Sequence, residues 1–311
     1  MKYIYGPVPS RRLGFSLGVD IIPYKVCTLD CIYCQLGKTA HQVVRRQTYF
    51  RADDVLEELG DFLSKNPHID FITFSGSGEP TLNSELGVMI KKLKSMSSIP
   101  VAVLTNGTLL SMEDAREDLM GADVVLPSLD AASQHVFKRI NRPHESLEIA
   151  KIINGLKNFR NMYKGQIWLE IMLVRGVNDN RDELLRIKES LLQIRPDKVH
   201  LNTVIRPPSE VYAEALSHEE MIAVKDILGV RCEIVAEFKG KSEEEAEDAE
   251  TSIIEMAKRR PVTAVDIANV FGVSESNAEK IALSLTISKK LEEKHYRGEK
   301  YYSFAKGRQG K

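Results

Sequence analysis

Cysteine is scarce in this chain: four occur among 311 residues, and tryptophan occurs once. Three of the four, Cys27, Cys31 and Cys34, fall within a short stretch, whereas Cys232 stands alone far along the chain. Three clustered thiols cannot all form pairs, so a disulfide scaffold is excluded and a reducing compartment is indicated. The clustered cysteines therefore predict a metal site.

Long apolar runs and an excess of one charge are also missing. No stretch approaches the roughly 20 apolar residues of a membrane span, and the opening residues, MKYIYGPVPSRR, lack the apolar core of a signal peptide. We therefore expect a cytoplasmic protein without membrane contact. Lys and Arg total 43 against 44 Asp and Glu, which argues against nucleic-acid binding by bulk charge alone. A hydrophobic content of 43% excludes disordered and fibrous classes, and the length suggests two domains.

Apolar and amphipathic segments alternate from Ser16 onward. Nearly continuous runs of Val, Ile and Leu predict strands at 16–23, 70–75, 100–105, 123–130, 167–174 and 198–205, with a seventh candidate at 231–238. Helical patterns between them cover 54–65, 86–96 and 144–160. Such βα units form parallel sheets. About six units predict an incomplete (β/α)6 TIM-like barrel or an open α/β sheet, and both place ligands at the carboxyl ends of the strands.

The composition changes after residue 240. Residues 241–249 lie in the acidic run KSEEEAEDA, which predicts a solvated linker. Helical patterns at 251–259, 263–272 and 274–291 follow, and then a hairpin at 295–304 that turns at Arg297-Gly298. This order predicts a C-terminal winged helix-turn-helix domain over 250–311, after an α/β domain over 1–240.

The clustered cysteines lie in the segment CTLDCIYCQ, with CxxxCxxC spacing after the first predicted strand. An iron–sulfur cube normally takes four cysteine thiolates, so three would leave one iron open to a further ligand. An open position is typical of reactive sites rather than structural ones. From spacing alone, two alternatives stay open: a structural zinc site completed by His41 or Cys232, and three unrelated cysteines.

CxxxCxxC with Tyr33 before the last cysteine resembles the signature of the radical S-adenosylmethionine superfamily. Further motifs in register at predicted strand ends extend the resemblance over about residues 1–240: GSGEP (76–80), TNG (105–107), SLD (128–130), LVRGVND (173–179) and LNTVIRPP (201–208). The resemblance implies an oxygen-sensitive enzyme with a [4Fe-4S] cluster on Cys27, Cys31 and Cys34 and with S-adenosylmethionine as second cofactor. Such enzymes cleave S-adenosylmethionine reductively, and the resulting 5′-deoxyadenosyl radical abstracts hydrogen from the substrate.

The residues that match these motifs form the predicted cofactor site. Glycines permit close backbone approach, the Glu79 carboxylate suits an ammonium group, and Ser128 and Asp130 suit the ribose or the polar end of the ligand. The complete set is Tyr33, Gly76, Ser77, Gly78, Glu79, Asn106, Ser128, Asp130, Val174 and Asn202. Several have structural explanations when taken singly, because Gly-Ser-Gly and Asn-Gly are turn sequences and Asp130 can cap the following helix.

Two resemblances within the superfamily bear on the substrate. The segments at 6–20, 139–144 and 201–208 resemble the group related to the wyosine-base synthase, which modifies guanosine in a transfer RNA. RGVND also resembles the molybdenum-cofactor enzyme that rearranges GTP. Both of those enzymes carry additional cysteine clusters, whereas here Cys27 is the first cysteine and Cys232 alone follows the triad. We therefore expect a related enzyme with a different substrate.

The leading hypothesis is a radical enzyme that modifies a macromolecule held by the winged helix, RNA first and a peptide second. A small flavodoxin-type or ferredoxin-type protein would supply electrons. Arg11 and Arg12 either grip a phosphate or carboxylate or belong to a charged surface loop. Tyrosines of the hairpin either stack on RNA or form its packed face. A competing hypothesis is a non-catalytic DNA-binding regulator that senses through its cluster or a zinc ion. For the enzyme, we expect deletion of 250–311 to spare background cleavage of S-adenosylmethionine.

Overall fold

The computed structural model describes residues 1–10, 12–65, 67–229, 232–235 and 249–305. Eight of the strands in these residues form one sheet, in the order β1-β2-β5-β6-β7-β8-β9-β10. The strands are β1 (Ile4–Ser10), β2 (Gly14–Val19), β3 (Val26–Cys27), β4 (His41–Gln42), β5 (Phe71–Phe74), β6 (Val101–Thr105), β7 (Val124–Pro127), β8 (Gln166–Leu173), β9 (Lys198–Thr203) and β10 (Cys232–Ile234). All neighbours in this sheet are parallel except β1 and β2.

Helices follow the parallel strands and cover the sheet. They are α1 (Ala52–Leu63), α2 (Leu86–Met96), α3 (Glu113–Asp118), α4 (Gln134–Ile140), α5 (Ile149–Met162), α6 (Arg181–Ile194) and α7 (His218–Leu228), with 3-10 turns at Pro80–Leu82 and Thr108–Ser111. The α/β class and the six predicted strands are confirmed, and the mostly parallel sheet is consistent with a partial barrel. Of the seventh candidate strand, residue 231 and residues 236–238 lie outside the described residues.

Strand β1 is an element that the sequence analysis did not predict. Its segment, IYGPVPS, contains Pro7 and Pro9, which cannot donate to a neighbouring strand. The structure places β1 at the edge of the sheet, antiparallel to β2, with an irregular register between Tyr5 and Val8. Prolines are tolerated at an edge because one side of the strand has no partner.

The C-terminal residues form three helices and a hairpin with an apolar core of their own. The elements are α8 (Ala249–Arg259), α9 (Ala264–Phe271), α10 (Glu275–Ile287), β11 (Leu291–Tyr296) and β12 (Glu299–Phe304). Thr263 caps α9, and Gly272 ends it in a left-handed conformation. The element order is the predicted one, while the winged-helix assignment and the domain boundaries stay predictions. The predicted linker, 241–249, lies outside the described residues except for Ala249.

The C-terminal unit contacts the α/β domain at two places, the edge strand β1 and the segment just after β9. Val8 of β1 packs against its core, and the hydroxyls of Tyr296 and Tyr301 donate hydrogen bonds to the carbonyl oxygens of Val204 and Ile205, just after β9. These two hydroxyls therefore serve packing between the units rather than an open stacking surface. Among the described helices, none is long and apolar enough to cross a membrane.

Candidate iron–sulfur and cofactor site

The three clustered cysteines occupy one loop at the carboxyl end of the sheet. The loop is held by the short parallel pair β3 and β4, which contains Cys27. Each sulfur accepts a hydrogen bond from a different donor: Nδ2 of Asn106 lies 3.5 Å from Sγ of Cys27, Nδ2 of Asn141 lies 3.3 Å from Sγ of Cys31, and Nζ of Lys25 lies 3.2 Å from Sγ of Cys34. Hydrogen-bond donors directed at the cysteine sulfurs would shift the reduction potential of a bound cluster and fix the orientation of its ligands.

The donor set fits a [4Fe-4S] cube with one open iron. A cube takes one thiolate per iron, so its ligands surround a volume instead of meeting at a point. Cys27, Cys31 and Cys34 lie on one loop and can supply one thiolate to each of three irons, which leaves the fourth iron open. Burial and the nearby Glu79 carboxylate raise the pKa of the Cys27 thiol to about 12, and burial with Asp130 raises the pKa of Cys31 well above its usual range. Binding of the cluster must therefore displace thiol protons.

Asp130 ties the cysteine loop to the ends of β7 and β8. Its buried carboxylate accepts hydrogen bonds from the hydroxyl of Tyr33, from Nδ2 of Asn141 at 2.7 Å, and from the backbone N–H of Met172 at 2.8 Å. The structure thus brings Tyr33 and Asp130 together beside Cys31. Asp130 does not cap the following helix, because that position belongs to Ser133.

Glu79 joins the glycine-rich loop to the end of β6. Its carboxylate is 1% exposed and accepts hydrogen bonds from N–H and Oγ1 of Thr81, from Oγ1 of Thr105 at 2.6 Å, and from the N–H of Asn106 at 2.6 Å. Oε1 accepts three of these bonds and Oε2 one, so Oε2 keeps an acceptor direction for a ligand. Its predicted contact with an ammonium group stays a prediction.

The two glycines of the loop make room for the protein itself. Gly76 has a φ of +130°, and a Cβ there would lie 2.4 Å from Cγ of Asp20. A Cβ at Gly78 would lie 2.0 Å from the carbonyl oxygen of Val26, next to Cys27. The Asp20 carboxylate accepts hydrogen bonds from the N–H of Ser77 at 3.1 Å and from its Oγ at 2.5 Å. The loop is therefore shaped by Asp20 and by the cysteine loop.

The remaining predicted residues lie along the ends of β7, β8 and β9. The backbones of Ser128 and Glu170 form an isolated parallel β-bridge, and the side chain of Glu170 accepts a hydrogen bond from Nδ2 of Asn202 at 3.0 Å. Val174 is completely buried, and its N–H donates to Asn178 at 2.8 Å. Their contacts with the cofactor stay predictions.

Arg12 lies in the turn between β1 and β2, but its side chain is not the solvated surface charge that one alternative predicted. Its guanidinium forms an ion pair with Glu170, and the two side chains are 16% and 15% exposed. Arg11 lies outside the described residues.

Sequence reasoning missed the residues that position the cysteines. Lys25 and Asn141 contact sulfurs, and Asp20 supports the glycine-rich loop, but none of them was assigned to the site. Asn141 lies in RINRPH, a segment already noted for its resemblance, and Lys25 immediately precedes the cysteine segment. These positions in the sequence were the signals from which Lys25 and Asn141 could have been assigned to the site.

Three cysteines lie on one loop beside a glycine-rich loop, at the carboxyl end of a mostly parallel sheet. This arrangement defines an iron–sulfur enzyme site with an open ligand position. The sequence model of the Radical SAM superfamily matches residues 21–187, and the chain belongs to this superfamily. The protein is therefore an enzyme of that superfamily, and its cofactors are a [4Fe-4S] cluster and S-adenosylmethionine. The cluster prediction is confirmed over the zinc alternative.

Relatives and solved structures add to this assignment. UPF0026 protein MJ1312 of Methanocaldococcus jannaschii is 34% identical over 269 residues, which are 84% of each chain. GTPase Obg of Brachyspira hyodysenteriae is 39% identical over 96% of this chain, but the chain spans only 44% of that protein and lacks the phosphate-binding motif GxxxxGK[ST]. The crystal structure of a radical SAM methyltransferase from Sphaerobacter thermophilus has a TM-score of 0.56 at 16% identity, covering 70% of this chain and 65% of that one, which shows the fold alone.

Proposed function

We propose that the protein modifies an RNA substrate, a transfer RNA in the first instance, which it holds between the α/β domain and the C-terminal unit. Bound together, the reduced cluster and S-adenosylmethionine supply a 5′-deoxyadenosyl radical that abstracts hydrogen from the substrate. Residues 1–240 form a radical SAM partial barrel in this proposal, and residues 250–311 form a winged-helix domain. The resemblance to the group related to wyosine-base synthase supports the choice of RNA.

A cavity between the two units carries the proposal. Its volume is about 730 Å3, which is within the range of pockets that hold drug-sized ligands. It is lined by Asn202 at the carboxyl end of β9 and reaches Arg297 and Lys300 on the hairpin. A substrate bound there would extend from the predicted cofactor edge of the sheet to the C-terminal unit.

The two walls of the cavity differ in chemistry. The wall from the α/β domain contains the apolar side chains of Leu201, Leu216 and Met221. The opposite wall carries both signs of charge: Arg260, Arg297 and Lys300 line it together with Asp266, Glu275 and Glu299. An apolar surface suits the face of a base, and Arg297 is the cation of the hairpin proposed to contact a phosphate, so the two walls together suit a nucleotide unit of a single-stranded segment.

The first turns of α10 favour this arrangement over sequence reading in a DNA groove. Glu275 begins the helix, and Glu279 follows one turn later, where base-reading donors normally lie. Carboxylates there repel phosphates. The proposed contact with RNA is therefore the hairpin and the apolar wall of the cavity, away from Glu275, which lines the same cavity from α10.

Two further assignments accompany the proposal. An electron must enter the cluster from outside, and a small flavodoxin-type or ferredoxin-type protein is the proposed donor. The unpaired thiols indicate a reducing compartment, so we place the enzyme in the cytoplasm.

The test compares RNA with protein as the substrate. Cluster-loaded enzyme, S-adenosylmethionine and dithionite are incubated anaerobically with total RNA or total protein from cells that lack the gene, and 5′-deoxyadenosine is measured. We expect intact RNA to raise the yield several-fold above background and RNase treatment to abolish the rise. Stimulation by the protein fraction alone would support the peptide alternative and refute the proposal.

A matched pair of variants tests the cavity. Arg297 has a φ of +53°, so Arg297→Asn removes its charge with a residue that tolerates this conformation. We expect it to weaken the RNA stimulation and to leave background cleavage unchanged. Lys294→Gln is the control, since Lys294 lies on the same hairpin, is exposed and pairs with Glu292. Equal effects of the two variants would contradict a specific role of the cavity.

A further inference from the structure

The side chain of Arg259 passes from the C-terminal unit to the α/β domain. Arg259 is the last residue of α8, and its side chain is 8% exposed. Its Nε lies 3.4 Å from Oδ2 of Asp20, and its guanidinium carbon lies 4.4 Å from the centroid of the Tyr5 ring. Glu255, one turn earlier, holds Nη1 at 2.7 Å and thereby fixes the direction of the side chain.

Asp20 and Tyr5, the two residues of the α/β domain described above as contacts of Arg259, both hold the glycine-rich loop. Asp20 accepts hydrogen bonds from the N–H and the hydroxyl of Ser77, on one side of Gly76. The hydroxyl of Tyr5 lies 2.8 Å from Oγ of Ser75, on the other side. The two flanks of Gly76 are therefore connected to a single guanidinium in the C-terminal unit.

The Asp20 carboxylate depends on a nearby cation. Asp20 is 6% exposed, and a carboxylate at such depth is stable in its charged form only when it is paired and hydrogen-bonded. Without Arg259, Asp20 would take up a proton or draw in water. Either change weakens its bonds to Ser77 and leaves the loop at Gly76 less well held.

We propose that Arg259 is a positioning residue for the glycine-rich loop and that, through it, the C-terminal unit controls how tightly the enzyme binds S-adenosylmethionine. This role goes beyond the proposed function, since it is independent of which substrate the C-terminal unit binds. Removal of residues 250–311 is then expected to weaken S-adenosylmethionine binding, the opposite of the expectation drawn from the sequence. A ligand that moves α8 would change the affinity for the cofactor by the same coupling.

The test uses the full chain with Arg259→Gln, with Arg259→Lys as the conservative variant and Lys258→Gln as the control. Lys258 lies beside Arg259 on α8 and also pairs with Glu255, but its ammonium lies over Phe304 within the C-terminal unit. The first readout is the dissociation constant of S-adenosylmethionine with the cluster-loaded enzyme. The second is amide hydrogen exchange of the segment 71–82 in the chain without either cofactor.

We expect Arg259→Gln to weaken S-adenosylmethionine binding about tenfold, the effect of about 1.4 kcal/mol, and to speed exchange at 75–78 without changing the iron content. Arg259→Lys retains most of the affinity, and Lys258→Gln retains all of it. In an Asp20→Asn background, Arg259→Gln has a smaller effect, because the buried charge that it neutralises is gone.

Wild-type affinity and exchange in Arg259→Gln would overturn the proposal, as would fully additive effects with Asp20→Asn. If Arg259→Gln does not fold, Arg259→Met takes its place: this side chain keeps an apolar stem beside the Tyr5 ring but carries no charge, and wild-type affinity in it would overturn the proposal. No RNA enters these measurements, so their outcome is separate from that of the proposed function.

Discussion

Gly78→Ala is a sharp test of the contact between the glycine-rich loop and the cysteine loop. An alanine Cβ would lie 2.0 Å from the carbonyl oxygen of Val26 and 2.6 Å from Cγ2 of Ile22. Nonbonded atoms rest about 3.5 Å apart, so the backbone would have to move by more than about 1 Å. The Val26 carbonyl also accepts the N–H of Glu79 at 3.2 Å, and Val26 precedes Cys27.

The cost of this substitution follows from those contacts. Overpacking costs about 1–3 kcal/mol, and the lost hydrogen bond about 1 kcal/mol, so the free energy of unfolding falls by about 2–4 kcal/mol. Because Cys27 moves with Val26, the variant also binds less iron. Denaturant unfolding of the metal-free chain measures the first effect, and iron and sulfide content after reconstitution measures the second.

Gly60→Ala is the matched control for this prediction. Gly60 lies within α1, and the nearest atom to an added Cβ there is the flexible end of Met96 at 3.4 Å. Alanine is favoured over glycine inside a helix by about 0.5–1 kcal/mol, so this variant should be slightly more stable and load normally. Normal loading of Gly78→Ala, with unfolding within about 0.5 kcal/mol of wild type, would refute the contact.

Three further predictions concern other parts of the site. Cys31→Ala is expected to lose the cluster absorbance and 5′-deoxyadenosine formation together, whereas Cys232→Ala, at a buried position in β10, keeps both; cluster loss in Cys232→Ala would contradict the three-cysteine assignment. Tyr33→Phe removes a donor from buried Asp130 and should lower the free energy of unfolding by about 1–3 kcal/mol, with less iron retained on dialysis; unchanged values would show that the bond is dispensable. Burial and the charges of Arg12 and Lys198 lower the pKa of His200 to about 4, so the unfolded chain binds the extra proton first and stability falls as the pH drops below 6.5. His200→Gln should remove up to about 2 kcal/mol of this loss of stability between pH 6.5 and 5, measured by urea unfolding. A larger loss of stability in the variant than in the wild type would contradict a lowered pKa of His200.

The residues that share a strand end could be predicted from the sequence, because the carboxyl ends of parallel strands meet at one edge. This placed Cys27, Glu79, Asn106 and Asp130 in one region from their positions in the chain alone. What could not be predicted is the partner of each side chain. Asp130 contacts Asn141 through the packing of α4, and no local pattern records that contact.

The glycines and the hairpin tyrosines also show that the sequence does not identify the partner of a residue. Glycine in a strand-end loop indicates a close approach, but the sequence does not say whether the approaching group is a ligand or the protein. In this loop the approaching groups are Asp20 and Val26. Of the hairpin tyrosines, Tyr301 is 6% exposed and Tyr302 is completely buried, so they form the packed face rather than a stacking platform.

The contacts of Asn106 decide which substitutions can separate cluster binding from cofactor binding. Its N–H binds the carboxylate of Glu79, while its side chain contacts Sγ of Cys27 and Oγ1 of Thr28. A change at Glu79 therefore reaches the cluster ligand through a single residue, and both binding events should respond to it. Arg259 contacts the glycine-rich loop from the opposite side through Asp20, without touching a cysteine. Substitution there can lower S-adenosylmethionine affinity while the cluster stays intact, which makes it the position where the two can be measured apart.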